Sequence, residues 1–172
     1  AIVGLAGTLP GSKDVHEFWE NLMAEQSLIQ EIPKDRWDWR EHFGDPLLEV
    51  NKTQVKWGGF MEDVDQFDHD FFGISYREAQ LMDPQQRLFL QTVWHAVEDA
   101  GYKMSDLAGT KTGVFVGVAG SDYTVLLKDS GLPVLPQAAM GVSNCILTNR
   151  VSYLFDLQGP CEPIDTACSS SL

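Results

Sequence analysis

The run Asp165-Thr-Ala-Cys-Ser-Ser-Ser-Leu172 holds the residues of this chain whose types best suit covalent chemistry. Ile164 makes a short apolar step between Pro163 and Asp165, and the small residues Ala167 to Ser171 follow at once. Small side chains let a strand turn sharply into a helix with one side chain at the apex, here Cys168. A thiol at a helix N-terminus faces unpaired backbone N–H groups and the positive end of the helix dipole, which favours the thiolate. This is the logic of the nucleophile elbow, with sulfur in place of oxygen. A free cysteine is also among the most often buried residues, so a packed structural Cys168 is the competing reading. The three serines and the adjacent Asp165-Thr166 favour the nucleophile, because hydroxyl-rich surroundings do not suit an inert core thiol.

Other candidate sites are weaker. Asp68, His69 and Asp70, set among Phe67, Phe71 and Phe72, invite a metal reading, but consecutive residues diverge on any regular element and cannot all face one ion. The phenylalanines are expected to be buried and the polar residues to satisfy loop backbone. His95 falls inside a helix with no partner in view. The three cysteines, Cys145, Cys161 and Cys168, are odd in number and lack C-x-x-C spacing, which argues against metal and disulfide frameworks and points to a reducing cytoplasm. Twelve Lys and Arg against 25 Asp and Glu give a net charge of −13, the wrong sign for a nucleic-acid partner. No run approaches the roughly 20 apolar residues of a membrane helix. Residues 1–7 are too short for a signal peptide and lack its basic flank. With 172 residues, 44% hydrophobic and 22% charged, the composition is that of a soluble globular domain.

The elements that position Cys168 follow from periodicity and caps. Ala1 to Ala6 reads as a buried strand, and Ser12 as the N-cap of a helix carrying Val15, Phe18, Trp19 and Leu22 to about Met23, its aromatic residues in the core. Residues 27–60 form a long irregular excursion; its basic cluster Lys34, Arg36 and Arg40 is either a solvated face or a docking patch for an anionic partner. Asp83 as N-cap, Pro84 at the first helical position and Gln86 as the third member of a capping box start a strong helix. Its apolar face is Leu88, Phe89, Val93, Trp94 and Val97, and Gly101 takes the left-handed position after Ala100. Thr112 to Val118 reads as a strand buried on both faces, and Asp122 to Lys128 as a short helix. Pro133, Pro136 and Gly141 punctuate a loop, and Ser143 caps a helix from Asn144 to about Phe155. The alternation gives an α/β class with a mixed sheet covered by helices. No repeat, low-complexity tract or internal domain boundary is visible. Because the chain starts on a strand and stops at Leu172, inside the helix expected after Cys168, a fragment cut at both ends is expected.

Taken together, these motifs resemble the ketosynthase (β-ketoacyl synthase) domain of bacterial modular type I polyketide synthases. The resemblance is carried by Asp165-Thr-Ala-Cys-Ser-Ser-Ser-Leu172, Phe71-Phe-Gly-Ile-Ser75, Arg77-Glu-Ala79, Met82-Asp-Pro-Gln-Gln-Arg87, Glu98-Asp-Ala-Gly101 and Gly113-Val-Phe-Val-Gly117, in that family's order and spacing. Phe18-Trp19, Pro33 with Arg36-Trp37, and Trp57-Gly-Gly-Phe60 match as well. Asn149-Arg150 and Glu162-Pro-Ile164 resemble the trans-acyltransferase group. The resemblance implies a thiolase-like fold, residues 1–172 being a partial ketosynthase N-terminal domain truncated at both ends.

The implied activity is that of an acyltransferase of polyketide or fatty-acid-type biosynthesis. By matching position, Cys168 accepts an acyl chain from the phosphopantetheine thiol of an acyl carrier protein. Decarboxylative Claisen condensation with a malonyl-type unit then extends that chain, and the backbone N–H of Cys168 is one oxyanion donor. No cofactor or metal is bound directly. The implied partners are the carrier protein, a second copy of the chain in a homodimer, and flanking synthase domains. Met140 to Asn144 corresponds to a region lining the acyl pocket near the dimer interface, with core packing as the other reading of Met140, and Thr166 serves turn geometry. Carrier proteins are acidic, as this chain is, so Lys34, Arg36 and Arg40, or Lys52 and Lys56, are candidate docking cations. The alternatives are a non-condensing ketosynthase-like domain that docks a carrier and passes the acyl chain on, and a cysteine hydrolase. The family places two catalytic histidines after the cysteine, and His16, His42, His69 and His95 match neither. The 172-residue chain assayed alone is therefore expected to release no carbon dioxide from a carrier-bound malonyl group; release would refute the fragment reading.

Overall fold

The computed structural model describes residues 1–131 and 136–171. They pack as two compact units, one of residues 6–63 and one of residues 1–5 with the described residues from 64 onward. Pro133 and Leu172 lie outside the described residues.

In the first unit, helix α1 (Val15–Met23) forms where the periodicity predicts it, but its N-cap is Asp14 and not Ser12. The Asp14 carboxylate accepts from the backbone N–H groups of His16 (2.9 Å) and Glu17 (2.8 Å), two of the donors a helix start leaves unpaired. Ser12 is held elsewhere, exchanging backbone hydrogen bonds with Leu9 and accepting from the Asn21 amide. No residue of α1 is buried and Trp19 is 62% exposed, so the expected core role of its aromatic face is not met in this unit. Beyond it the chain is irregular, as expected. The two-residue strands β1 (Gln30–Glu31) and β2 (Trp57–Gly58) pair antiparallel, with a 3-10 turn at Trp39–Glu41 and an isolated parallel bridge of Phe43 to Thr53 between them. Asp38, Asp45 and Thr53 each accept from a backbone N–H two residues on, local bonds that compete with a ladder.

The second unit is built from α2 (Tyr76–Leu81), α3 (Pro84–Asp99), α4 (Met104–Leu107), β3 (Val114–Gly117), α5 (Tyr123–Asp129), α6 (Pro136–Val142), α7 (Asn144–Leu154) and β4 (Cys161–Ile164). The start of α3 is as expected: Asp83 accepts from the Gln85 N–H at 2.8 Å, Pro84 opens the helix, and Gly101 beyond it has φ of +75°. Gln86, however, completes no capping box; it is buried and bonded to other elements. The core centres on Met82, Leu90 and Val151, all fully buried, with Phe72, Ile74, Val114 and Phe155 around them. Leu90 lies outside the apolar face read from the sequence, whose members Phe89, Val93 and Trp94 pack at the core's margin. Phe72 is buried and stacks on Phe67, whereas Phe71 is half-exposed, edge-on to Trp94. Asp68 accepts from the Phe71 N–H, and the His69 ring N–H donates to the Ile74 carbonyl, so both serve the loop as expected.

Strands β3 and β4 are parallel, from Val114 opposite Cys161 to Gly117 opposite Ile164, and α7 packs against both. Three expectations are corrected. Ala1 to Ala6 forms no strand: the Leu5 N–H bonds the Asp99 carboxylate, no described strand offers it a ladder, and Ile2 is 90% exposed. Strand β3 is covered on one face only, with Val114 buried and Phe115 61% exposed, because β4 takes its edge and α7 packs against one side. Pro136 and Gly141 lie in α6 and not in a loop. Proline suits a first helical position. Gly141 is needed because a Cβ there would stand 1.9 Å from the Leu81 carbonyl oxygen, so only glycine lets α6 approach α2.

The cap of α1 carries a pH signature. Its hydrogen bond from the Glu17 N–H, followed by that from His16, holds the Asp14 carboxyl below its ordinary value of 3.8. A lowered carboxylate stabilises the fold above the unfolded value, and that stabilisation is lost as pH falls through the lowered one. Asp14→Asn keeps an accepting oxygen but no charge, and is expected to flatten this acid dependence of α1 amide protection in hydrogen exchange.

Candidate active site

Strand β4 delivers the chain to Asp165, and a single 3-10 turn at Ala167–Ser169 follows. Cys168 sits in this turn and is exposed, so it is not a packed core thiol. The expected helix is reduced here to that turn, so the described residues supply local amides and no long aligned dipole. Ala167, the residue before the thiol, has φ of +55°. Its N–H bonds the Asp165 carboxylate at 3.2 Å. The Ser169 hydroxyl donates to the Thr166 carbonyl (2.9 Å) and to the Thr166 hydroxyl (3.1 Å). The Ser170 hydroxyl accepts from the Thr166 N–H and donates to the Ala167 carbonyl, both at 2.8 Å. Thr166 thus serves turn geometry. Among the described residues nothing accepts from the Cys168 N–H, which leaves it free for an oxygen of a ligand.

The turn rests on the end of β3. A Cβ at Gly117 would lie 2.9 Å from the Ser170 carbonyl oxygen and 3.0 Å from its carbon, closer than carbon atoms approach. The absence of a side chain at 117 therefore sets how near the thiol-bearing turn comes to the sheet.

Behind the strands a polar knot ties the helices together. Arg150 of α7, its side chain 10% exposed, pairs with Glu78 of α2 at 2.5 Å and donates from Nε to the Gln86 side-chain oxygen of α3 at 3.1 Å. Gln86 in turn donates to the carbonyls of Met140 and Ser143, where α6 meets α7. The Asp83 N–H bonds the Gly141 carbonyl at 2.8 Å, and the Ser121 hydroxyl donates to the Asp83 carboxylate. Asn144 reaches the Ala119 carbonyl just past β3 (3.1 Å). Of the stretch from Met140 to Asn144, Met140 is 44% exposed, so core packing does not account for it in this unit.

Neither His69 nor His95, the histidines of this unit, is partnered with Cys168 among the described residues. His95 faces Glu98, His69 the Ile74 carbonyl, and His42 the edge of Trp37. Of the candidate docking cations, Lys34, Arg36 and Arg40 are exposed and Lys52 and Lys56 half-buried. Arg36 donates to the Met61 carbonyl, Arg40 pairs with Asp38, Lys52 with the Glu41 carbonyl, and Lys56 with Glu31. Lys34 alone of the five has no such contact among the described residues. Two clefts, of about 430 and 310 Å³, are walled by Phe71, Trp94, Tyr102 and Met104, and neither includes a residue of the Cys168 turn. No group of three or more His, Cys, Asp and Glu side chains able to hold a metal occurs among the described residues, and no described helix is long and apolar enough to cross a membrane.

A parallel strand pair ending in a hydroxyl-braced cysteine turn, with helices pinned behind it, is the N-terminal half of a thiolase-like ketosynthase fold. The chain belongs to the β-ketoacyl synthase family, whose N-terminal domain matches residues 1–172. It is 54% identical over its whole length to polyketide synthase PksN of Bacillus subtilis and 46% identical to polyketide synthase ThaG of Burkholderia thailandensis, spanning 3% of each. A phthioceranic/hydroxyphthioceranic acid synthase of Mycobacterium tuberculosis is 46% identical, with 8% of its length covered. Among solved structures, the ketosynthase from module 6 of the bacillaene synthase of Bacillus subtilis superposes with a TM-score of 0.86 at 42% identity, over 100% of this chain and 28% of that one. The oxazolomycin ketosynthase domain OzmH KS7 of Streptomyces albus gives the same score and identity, over 99% and 29%.

The sequence pointed to Cys168 but not to its supports. Gly117 and Arg150 stand inside motifs it displayed, while their contacts with Ser170 and with Glu78 and Gln86 join residues far apart in the chain. Two outcomes are expected. Gly117→Ala shifts the Cys168 turn, read as a changed rate of iodoacetamide alkylation of Cys168, whereas Gly120→Ala, with nothing within 4 Å of its added Cβ, leaves that rate alone. Arg150→Ala leaves the Glu78 carboxylate and the Gln86 oxygen without their shared donor and destabilises the full-length protein by about 1–3 kcal/mol, seen as a lowered denaturation midpoint for this domain.

Proposed function

We propose that Cys168 is the acyl-accepting nucleophile of a ketosynthase, loaded from the phosphopantetheine thioester of an acyl carrier protein. The observation that carries this reading is an exposed thiol whose own backbone N–H is uncommitted, on a turn braced by every hydroxyl around it from Thr166 to Ser170. The thiolate sulfur attacks the thioester carbonyl carbon, and the carbonyl π pair moves onto oxygen, where the Cys168 N–H donates to it. Collapse restores the carbonyl, breaks the bond to the carrier's sulfur and leaves the acyl group on Cys168; the departing thiolate takes up a proton. Ser169 and Ser170 hold backbone groups with their hydroxyls and take no part as nucleophiles.

Extension follows from the same thioester. A malonyl-type unit on a carrier loses carbon dioxide, and the electron pair of the broken bond attacks the acyl carbon, expelling the Cys168 thiolate. Condensing and non-condensing relatives share the loading step and part only at this second one. His16, His42, His69 and His95 serve neither step.

The test is loading of the full-length protein from a carrier bearing a radiolabelled acyl group. Label is expected on the peptide containing Cys168 and is expected to fall to background in Cys168→Ala. Label on another residue, or none, would sink the assignment. Prompt release of free acid would mark a hydrolase. Added malonyl-carrier then separates the two relatives, because condensation releases carbon dioxide and discharges the label into a longer product.

A further inference from the structure

Ala167 is held where an L-residue does not settle unaided. A φ of +55° puts its Cβ against its own carbonyl, and such a conformation persists only when its surroundings impose it. The bonds that impose it are divided between two peptide planes. The Asp165 carboxylate and the Ser169 hydroxyl hold the plane joining Thr166 to Ala167, through the Ala167 N–H and the Thr166 carbonyl. The plane joining Ala167 to Cys168 is held by Ser170, which donates to the Ala167 carbonyl from its hydroxyl at 2.8 Å and from its N–H at 3.2 Å.

The second plane matters because its other end is the Cys168 N–H. A trans peptide is rigid and planar, so the direction of its carbonyl fixes that of its N–H on the opposite side. The same Ser170 hydroxyl also accepts from the Thr166 N–H, which closes a bridge across the thiol-bearing residue. Two donors on the Ala167 carbonyl polarise the peptide further and strengthen its N–H as a donor. We infer that Ser170 is a positioning residue for acyl transfer: its hydroxyl grips the carbonyl end of the Ala167–Cys168 peptide and thereby aims the N–H end at the oxyanion. The inference rests on the acyl-transfer reading above.

The three serines are therefore not equivalent, and the experiment uses that difference. In the full-length protein, acylation of Cys168 by an acyl-N-acetylcysteamine thioester is followed by mass spectrometry beside alkylation of Cys168 by iodoacetamide. Acyl transfer passes through an oxyanion, whereas alkylation is a direct displacement with none. Losing an oxyanion donor outright costs about 10²–10³ in rate, so Ser170→Ala, which keeps the Cys168 N–H but leaves the Ala167 carbonyl held only by the longer bond from the Ser170 N–H, is expected to lower the saturated acylation rate by roughly 10–100-fold. KM and the alkylation rate are expected to stay within about threefold, Ser171→Ala, whose hydroxyl makes none of these bonds, to acylate within about threefold of the parent, and Ser170→Thr to recover most of the loss by restoring the hydroxyl. Acylation by Ser170→Ala at the parent rate, acylation and alkylation falling together, or Ser170→Thr no better than Ser170→Ala would each overturn the inference. A parent protein that takes no acyl group at Cys168 overturns the acyl-transfer reading itself, whereas a parent that loads while Ser170→Ala loads equally fast overturns the positioning role alone.

Discussion

The largely covered guanidinium of Arg150 is the constraint on which the larger unit depends. A charge removed from water is tolerated only where its donors are met, and here they are met by Glu78 of α2 and Gln86 of α3. Gln86 passes the connection on to the carbonyls where α6 ends and α7 begins. One cation thus fixes four helices relative to one another. Apolar packing among Met82, Leu90 and Val151 supplies non-directional burial beside it, but the directional bonds select one arrangement of those helices over neighbouring ones.

That arrangement reaches the thiol through α7. The helix packs on both strands of the parallel pair, and the register of β4 against β3 sets where the chain leaves the sheet. Gly117 at the end of β3 lets the departing turn settle against the strand. The thiol is therefore carried on irregular backbone but located by regular elements, a division common to sites that need both exposure and accuracy. The clefts around Phe71 and Trp94 belong to a different part of this unit.

What could be read from the residues alone was whatever is decided locally. Asp83-Pro84 starts a helix because the cap and the fixed φ of proline act within one turn, and α3 begins there. The Ser12 assignment failed at the same scale: two capping residues stand two positions apart, and the choice turned on which one was free of other bonds. Failures of a second kind came from partners distant in sequence. Ala1 to Ala6 has the composition of a strand but finds no ladder, and β3 has the composition of a strand buried twice but is covered once. Arg150 reads as an ordinary helical cation until Glu78, 72 residues earlier, is brought beside it. At the site the candidate thiol could be singled out because small residues around a cysteine are a local pattern. The partition of hydroxyls among Thr166, Ser169 and Ser170 was not, because it depends on backbone angles that serine permits without announcing.

The left-handed residue ahead of the thiol narrows what evolution or a protein engineer can place there. Glycine adopts that geometry freely, and asparagine or aspartate tolerates it, but valine, isoleucine and threonine clash through the branch on their Cβ. Sequence drift at 167 is thereby confined to a handful of compact residues. Any change in the room around the sulfur has to come from other positions, since the doorstep beside it admits almost no remodelling.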